Sequence, residues 1–394
     1  MWNTSKTLSI EIKRFLKEIK LKEANYSKQA YSKARMKIKH SGYIELNDAL
    51  LDEYYSDGEY KKYKGYRLLG IDGTEIELQH GEEIKKEFGA VFNNKETINA
   101  SKSVVVYDLL NELILDAELK MYNSSERKSA IEQLKRIRKE GKQREDIIVS
   151  DRGFPSLELF NELLSDGYDF IIRYNGKEFL KETRALIESD KTEMEIEIPL
   201  REGNKRKENP AIKEQLKKGY PEKIRLRIIK IKLSEKVTEY LITSLLSEFS
   251  INDFKEIYNL RWNEEVYFDF QKNVMEVENF SGRTVESVKQ DYYSRVLVGN
   301  LHNLIVSEAQ EEIDEETKSN DKLKYDHYKI NKNLSYGLMK ESIMRLLTSK
   351  NWKKEYTSLI KEAKKHKIAV IKNRSFPRKK KGNLKYPINK KRAV

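Results

Sequence analysis

The sequence contains no cysteine, so disulfide bonds and thiolate metal sites are excluded. Histidine is scarce as well: there are five, and their spacing does not match a zinc site. Any bound metal ion must therefore be held by carboxylates. An uninterrupted apolar run of about 18 residues is also missing, and the N-terminal segment spreads its charges along an amphipathic pattern instead of enclosing the apolar core of a signal peptide. We therefore expect a cytoplasmic protein with no membrane-spanning helix.

The 394 residues are 38% hydrophobic and 10% aromatic, which is enough to bury one large core or two smaller ones. The net charge of +13 is unevenly distributed. Residues 1–40 carry eleven Lys and Arg against three acids, residues 371–394 carry ten against none, and the segment between them is mildly acidic. Basic ends around an acidic centre indicate a protein that binds a polyanion such as DNA, although lysine-rich ends also occur on ordinary proteins.

Apolar periodicity and composition divide the chain into four regions. Residues 1–62 have the pattern of helices and are predicted to form an N-terminal DNA-binding domain. Residues 63–313 combine strands and helices and are predicted to form a catalytic domain, with a β-rich insertion at 180–247. Residues 314–370 are expected to be a C-terminal helical region, and residues 371–394 a basic tail without a core-forming pattern.

The first part of the catalytic region has the element order β-β-β-α-β-α-β. The apolar run 66–72 ends in Asp72, and residues 102–121 contain two apolar runs spaced as a hairpin. A helix with an N-cap serine at 124–140 precedes the short run "DIIVSDRGF", which delivers Asp151 at the C-terminal end of a strand. This order is that of the ribonuclease H fold. We therefore predict an α/β protein with a ribonuclease H-like core.

The segment "YNLRWNEEVYFDFQK", residues 258–272, mixes aromatic and charged side chains. On a helical projection, one narrow stripe collects a tyrosine and four charged residues: Tyr258, Arg261, Glu265, Asp269 and Lys272. Glu264 lies off this stripe. A surface helix would instead separate a broad polar face from an apolar face. The pattern predicts a mostly buried helix that directs a few charges into a cleft.

Three motifs together resemble a known family: "GIDGTEIEL" around Asp72, "VSDRGFP" around Asp151, and the spacing of Tyr, Arg, Glu and Lys along the helical stripe. They are similar to the DDE transposases of bacterial insertion sequences, specifically the cut-and-paste group of the insertion sequence four type with its Tyr-Arg-Glu-Lys signature. The resemblance covers residues 65–305 and includes "SSER", "ENFSGRT" and the β-rich insertion. Glu264 departs from it, because this group usually has an apolar residue before the catalytic glutamate.

The resemblance implies a metal-dependent DNA enzyme that is associated with the bacterial nucleoid. Asp72, Asp151 and Glu265 would hold two Mg²⁺ ions, for which Mn²⁺ would substitute, with Asp72 bridging the two. Phosphodiester cleavage suits this set, because two divalent ions on oxygen ligands can activate a water and stabilise the transition state. The implied function is binding of terminal inverted repeats in double-stranded DNA, strand cleavage and strand transfer, carried out by a homodimer that joins both ends.

The same resemblance gives the other stripe residues roles in DNA binding. Tyr258, Arg261 and Lys272 would contact the DNA backbone, to which a bidentate guanidinium and a lysine point charge are suited. Trp262 is expected to stack on an unpaired or flipped base near the cleavage site.

Simpler interpretations of individual residues stay open. Arg261 and Glu265 have the i, i+4 spacing of an ordinary helical ion pair. Asp72 and Asp151 each precede a turn-like sequence, and Trp262 fits a position partly in the core. Competing carboxylates also occur, and these are interpreted as structural or supporting: Asp108, Asp116 and Asp269.

Two other functions share parts of the pattern. A catalytically silent DNA-binding protein derived from a transposase would keep the fold, but it has no reason to keep three carboxylates near phosphates. A ribonuclease H-like nuclease or junction resolvase would share the acids without requiring the full Tyr-Arg-Glu-Lys spacing. The complete set of motifs therefore favours a DNA transposase.

Overall fold

The structure is a computed structural model. The residues that it describes are 7–19, 21, 26–92, 96–175, 179–200, 209–234, 237–318, 325 and 327–371. Apart from residue 371, the predicted basic tail lies outside the described residues. The chain divides into two compact units: Asp48–Glu77 with Phe88–Phe268, and Met1–Asn47 with Leu78–Glu87 and Asp269–Val394. We call them the sheet unit and the helical unit.

The sheet unit is built on a single mixed β-sheet. Its described strands are β1 (Arg67–Glu77), β2 (Ala90–Phe92), β3 (Thr97–Asp108), β4 (Leu113–Met121), β5 (Asp146–Ser150), β6 (Asp169–Tyr174), β7 (Glu193–Pro199), β8 (Lys223–Ser234) and β9 (Val237–Thr243). They lie in the order β2-β3-β1-β5-β6-β9-β8-β7, and β4 also pairs with β3. The pairing of β1 with β5 and of β5 with β6 is parallel, whereas β3 is antiparallel to both β1 and β4. The predicted hairpin at 102–121 is therefore confirmed as β3 and β4.

Helices cover the sheet, and their sequences explain where they begin. The described helices of the chain are α1 (Leu8–Glu18), α2 (Lys28–Arg35), α3 (Ser41–Tyr55), α4 (Glu82–Phe88), α5 (Glu126–Lys139), α6 (Leu157–Ser165), α7 (Leu180–Ile187), α8 (Pro210–Lys217), α9 (Ile251–Leu260), α10 (Trp262–Asn273), α11 (Val285–Lys318), α12 (Lys332–Thr348) and α13 (Trp352–Lys365). Ser125 caps α5 by accepting a hydrogen bond from the Lys128 amide, and Ser156 caps α6 in the same way through Leu159. Both predicted helices are thus confirmed.

Alternation along β1 gives the two faces of the sheet different neighbours. Leu69 and Ile71 belong to the apolar core that includes Leu134 of α5 and Phe160 of α6. Gly70, between them, faces α10 instead, where the Glu264 carboxyl lies against it. The even-numbered positions of β1 therefore point toward the helix that carries the glutamates.

The β-rich insertion extends the sheet. Within the insertion, the two runs of alternating apolar and charged residues at 192–200 and 223–233 predict strands, and these are confirmed as β7 and β8. The sequence did not predict β9, α7 or α8. β9 pairs antiparallel with β6, so the insertion continues the hydrogen-bonded ladder of the other strands. Burial explains why: Leu241 and Ile242 of β9 are fully buried in the sheet.

The helical unit contains α1, α2, α4 and α11 to α13, together with the short strands β10 (His327–Lys329) and β11 (Ile368–Val370), which pair with each other. Its apolar core lies between α11, α12 and α13 and includes Val306, Met339 and Ile360. The buried ion pair between Arg35 and Asp291, 2.9 Å long, joins α2 to α11. The helical periodicity of residues 284–313 predicts a long helix, and α11 continues beyond this range to Lys318. In the described ranges no helix is both long and apolar enough to cross a membrane.

Candidate active site

Asp72 lies inside β1 and not at its end. The strand was expected to stop at this residue, but its pairing with β3 continues to Glu77 opposite Ala100. The Asp72 Oδ1 atom accepts a hydrogen bond of 2.8 Å from the amide of Gly73. Burial raises the pKa of the Asp72 carboxyl to about 6, against the lowering effect of the Gly73 amide and of Arg261. The surroundings of Asp72 therefore disfavour its charged form.

Asp151 follows β5 directly, and the register of the sheet brings it beside Asp72. Ile71 is the partner of Ser150 in the parallel pair of β1 and β5, so the next residue on each strand is Asp72 or Asp151. Neighbouring strands lie about 4.8 Å apart, and side chains at the same register point to the same face. Two aspartates that are 79 positions apart in sequence thus become neighbours.

Asp151 contacts a hydroxyl group and a guanidinium group from two other elements. Its Oδ1 accepts a hydrogen bond of 3.3 Å from the hydroxyl of Tyr258, near the end of α9. The Nη1 atom of Arg173, on β6, lies 3.9 Å from the same oxygen, and its Nη2 lies 2.8 Å from Glu239 on β9. Burial raises the pKa of the Tyr258 hydroxyl, so Tyr258 keeps its proton and donates a hydrogen bond to Asp151.

The stripe predicted on one helix lies on two consecutive helices. α9 begins at a capping box formed by Ser250 and Asp253 and ends at Leu260, and α10 begins at Trp262. Arg261, between them, keeps helical dihedral angles, but its amide bonds to the carbonyl of Tyr258, only three residues earlier. A tightened turn of this kind is common where a helix is interrupted. The prediction of one uninterrupted helix over 258–272 is therefore wrong at Arg261.

Arg261 and Glu265 form the ion pair that their spacing allows. Arg261 Nη2 lies 2.7 Å from Glu265 Oε1, and the side chains are 5% and 36% exposed. The Arg261 guanidinium also stands 5.5 Å from the ring centres of both Tyr258 and Trp262. Glu265, the predicted catalytic glutamate, is therefore also one partner of an ordinary i, i+4 ion pair.

The two remaining residues of the predicted DNA contact differ in their surroundings. Trp262 is 50% exposed, and Val266, one turn later, is exposed as well. Half of the tryptophan surface is therefore free for contact with a ligand. Lys272 lies in the last turn of α10, within the helical unit, where its Nζ is 3.9 Å from Glu278.

The competing carboxylates have structural partners. Asp108 is fully buried and accepts a hydrogen bond of 2.8 Å from the hydroxyl of Tyr55. Asp116 is held by a two-pronged contact with Arg136, at 3.0 and 2.9 Å. Asp269 accepts a hydrogen bond from an asparagine one turn later on α10. Their interpretation as structural residues agrees with these contacts.

Glu264 is the most unusual residue of the site, because its carboxyl is completely buried. Neither carboxyl oxygen has a hydrogen-bond partner of standard geometry among the described residues. Burial first, and then the negative charge of Asp72, raise the pKa of Glu264 well above its ordinary value, although Arg261 and the amide of Asp72 offset part of this effect. Glu264 therefore occupies a core position as a neutral acid, where the resembled group has an apolar residue.

Two residues near the aspartates were not identified from the sequence as site residues. One is Arg173, on β6, for which the sequence contains no signal. The other is Glu126, whose carboxyl packs against Gly73: a Cβ on that glycine would lie 2.6 Å from Glu126 Cδ. Glu126 also pairs with Lys102 at 2.9 Å. The "SSER" segment was the available signal, because it contains Glu126.

The acidic residues suit a divalent cation in chemistry and in charge. Carboxylate oxygens are the ligands that Mg²⁺ prefers, and the half-buried Asp72 lies close enough to Asp151 for the two negative charges to interact. Among the residues that the structure describes, however, no three acidic or histidine side chains converge in a metal-binding cluster. Glu265 is directed to Arg261 instead.

Comparisons with known proteins support the reading of these motifs. Residues 63–301 match a family described as "Transposase DDE domain". No curated protein sequence is significantly similar to the chain.

Among the solved structures that match this chain are two with low sequence identity and low TM-scores. One is a piggyBac transposase in a synaptic complex with hairpin DNA, with 12% identity and a TM-score of 0.41 over 76% of this chain and 57% of that one. The other is the NurA nuclease from Sulfolobus solfataricus, with 12% identity and a TM-score of 0.22 over 73% of this chain and 99% of that one. The chain thus spans little more than half the length of the piggyBac chain, and both likenesses are too weak to bear on function.

The matched range covers more than half of the chain and includes both neighbouring aspartates, the Tyr258 hydroxyl and the ion pair of Arg261 with Glu265. The chain therefore belongs to the transposases with a DDE domain.

Proposed function

We propose that this protein is a cut-and-paste DNA transposase that binds the terminal inverted repeats of its element, cleaves DNA strands at those ends and joins them to target DNA. The observation that carries the proposal is the register of β1 and β5, which makes Asp72 and Asp151 neighbours on one face of the sheet. The Arg261 guanidinium, which pairs with Glu265, interacts electrostatically with both aspartates. Family membership supplies the reaction class.

We also propose a ribonuclease H-like core within the catalytic domain at 63–313. Its support is the strand order β4-β3-β1-β5-β6, with three antiparallel strands followed by two parallel ones. The insertion at 180–247 interrupts this core in sequence. Residues 1–62 are proposed as the end-recognition domain and 314–370 as a separate helical region. The basic tail at 371–394 would add affinity through counterion release.

Asp72, Asp151 and Glu265 are the residues that would hold Mg²⁺, two ions per site, with Mn²⁺ as a substitute. When bound, these ions would lower the pKa of an attacking water and neutralise charge on the leaving oxygen. Asp72 is half-buried, and a partly dehydrated surrounding strengthens charge interactions.

The surrounding side chains would position DNA. Arg261 would bind a phosphate through two parallel hydrogen bonds, and Tyr258 would donate a hydrogen bond to a phosphate oxygen or keep its hydrogen bond to Asp151. Trp262 would stack on a displaced base, for which its exposed half is available. Lys272 would add a point charge on the backbone. Two protomers would act together, one at each end of the element.

A plasmid assay tests this proposal. Supercoiled DNA that carries the inverted repeats flanking the reading frame is incubated with Mg²⁺ and the wild type, Glu265→Gln or Asp269→Asn. Asp269 is the matched control, because it is an acid on the same helix with an ordinary hydrogen-bond partner. We expect the wild type and Asp269→Asn to cut at the ends, and Glu265→Gln to bind without cutting.

Each alternative outcome has a distinct meaning. Equal cutting by all three proteins would show that Glu265 is not catalytic. Binding without cutting by all three would favour the catalytically silent DNA-binding protein. Cutting that does not depend on the inverted repeats would favour a nuclease.

A further inference from the structure

Arg261 is a buried cation among the acids of the candidate site. Its side chain is 5% exposed, whereas that of its partner Glu265 is 36% exposed. The charge of Arg261 lowers the pKa of Asp72, and Asp151 in turn stabilises the Arg261 cation. One guanidinium therefore interacts with each of the three acids that would hold a metal ion.

The hydrogen bonds of Arg261 are incomplete. A guanidinium has five N–H donors, and one of the terminal nitrogens donates to Glu265 at 2.7 Å. Its Nε is buried and has no hydrogen-bond partner among the described residues. A buried donor without a partner is unfavourable. An anion that engaged Nε and a terminal nitrogen together would therefore be a better partner than the single contact with Glu265.

We propose that Arg261 holds the Glu265 carboxylate in the free protein, and that a DNA phosphate replaces Glu265 on Arg261, which couples metal binding at Glu265 to DNA binding. A phosphate oxygen pair matches the fork of the guanidinium, which a single carboxylate oxygen does not. Glu265 is 36% exposed, so its side chain has room to change rotamer once the contact with Arg261 is broken. This inference rests on the proposed function, because it requires that Glu265 is a metal ligand.

The coupling has a reciprocal consequence. If DNA increases the affinity for a divalent ion, the ion must increase the affinity for DNA by the same factor. A protein built in this way would bind metal weakly until it meets its substrate. The contact of Arg261 with Glu265 would thus limit cleavage to DNA that is correctly seated.

The test measures Mn²⁺ binding directly, by the electron paramagnetic resonance signal of free Mn²⁺, in the absence and presence of an inverted-repeat duplex. The proteins are the wild type, Arg261→Gln, Glu265→Gln and the variant that combines the two, together with Arg173→Gln alone and combined with Glu265→Gln. Arg173→Gln is the matched control, because it removes a different guanidinium, 3.9 Å from Asp151, without touching Glu265. It reports the general effect of removing a positive charge.

Without DNA, we expect Arg261→Gln to bind Mn²⁺ at least about fivefold more tightly than the wild type, the lower range of site-to-site coupling. In the Glu265→Gln background the same substitution should change Mn²⁺ affinity by no more than Arg173→Gln does, because the contact with Glu265 is already absent and only the loss of a positive charge near Asp72 and Asp151 is left. The gain from adding DNA should be smaller in Arg261→Gln than in the wild type. Arg173→Gln should change affinity equally in both backgrounds.

Three results would overturn the inference: unchanged or weaker Mn²⁺ binding by Arg261→Gln, an equal gain in Arg173→Gln, or persistence of the Arg261→Gln gain without Glu265. If Arg261→Gln fails to fold, the charge-conserving Arg261→Lys replaces it, and its Mn²⁺ affinity must stay near that of the wild type. Failure of the proposed function gives a separate result, because Glu265→Gln would then leave Mn²⁺ binding unchanged even with DNA present.

Discussion

Replacing Glu264 by glutamine isolates the effect of a buried acid on stability. Glu264→Gln keeps the size and shape of the side chain but removes the proton that can be lost. In the folded protein the Glu264 carboxyl is fully buried, and its pKa is raised by burial and by Asp72. In the unfolded chain the same group ionises near its ordinary pKa. The folded state therefore binds a proton that the unfolded state releases as the pH rises.

The size of the effect follows from this difference. The ordinary pKa of a glutamate is 4.5. Above that pH, the free energy of unfolding of the wild type falls by about 1.4 kcal/mol per pH unit, as long as Glu264 keeps its proton in the folded state. Between that value and neutral pH, the loss is at most about 3.4 kcal/mol. Near pH 4.5 and below, this contribution is fully present and the wild type and Glu264→Gln should be similar. The glutamine variant should become progressively more stable than the wild type as the pH rises.

Urea unfolding followed by tryptophan fluorescence, at several pH values from 4.5 to 8, measures the difference. Glu188→Gln serves as the control, because that glutamate is 70% exposed and forms an i, i+4 ion pair with the exposed Arg184. Its unfolding curve should run parallel to the wild type. A difference between Glu264→Gln and the wild type that does not change with pH would refute the reasoning, because it would mean that Glu264 is not held as a neutral acid.

Two further substitutions test the packing around the site. Gly70→Ala should lower the free energy of unfolding by about 1–3 kcal/mol, because the added Cβ would lie 2.6 Å from Glu264 Oε2. Gly153→Ala is the control and should have little effect, because its added Cβ would have no neighbouring atom within 4 Å among the described residues. Equal losses for the two glycines in urea unfolding would contradict this. Arg67→Met should cost about 3–5 kcal/mol, because Arg67 and Asp146 form a pair only 1% and 0% exposed, 2.8 Å long. A thermal melt within a degree of the wild type would disprove that estimate.

Much of the fold around the aspartates could be predicted, because its signals are local. Apolar runs marked β1 and β5, and the serine before Glu126 marked the start of α5. The strand order could be anticipated only through a known fold. The register that makes Asp72 and Asp151 neighbours depends on hydrogen bonds between distant segments, and no local pattern encodes it.

The helix with the glutamates was harder to predict. Helical projection assumes a constant angle per residue, and the tightened turn at Arg261 breaks that assumption. The helical projection separated Glu264 from the charged stripe. It could not predict that the Glu264 side chain is completely buried, because charged residues are seldom fully buried without a partner. Strand β9 was missed because "VTEYLIT" has a weak alternating pattern, and its pairing with β6 is what makes it a strand.

The junction between β6 and β9 means that the insertion cannot be excised as a separate module. If residues 180–247 were cut out and the ends rejoined, β6 would lose its antiparallel neighbour and become the outer strand of the sheet. Its fully buried residues Phe170, Ile171 and Ile172 would then border an open row of backbone donors and acceptors. Such an edge is a template for pairing with other chains. A minimal catalytic fragment of this transposase would therefore aggregate unless β8 and β9 are retained with it.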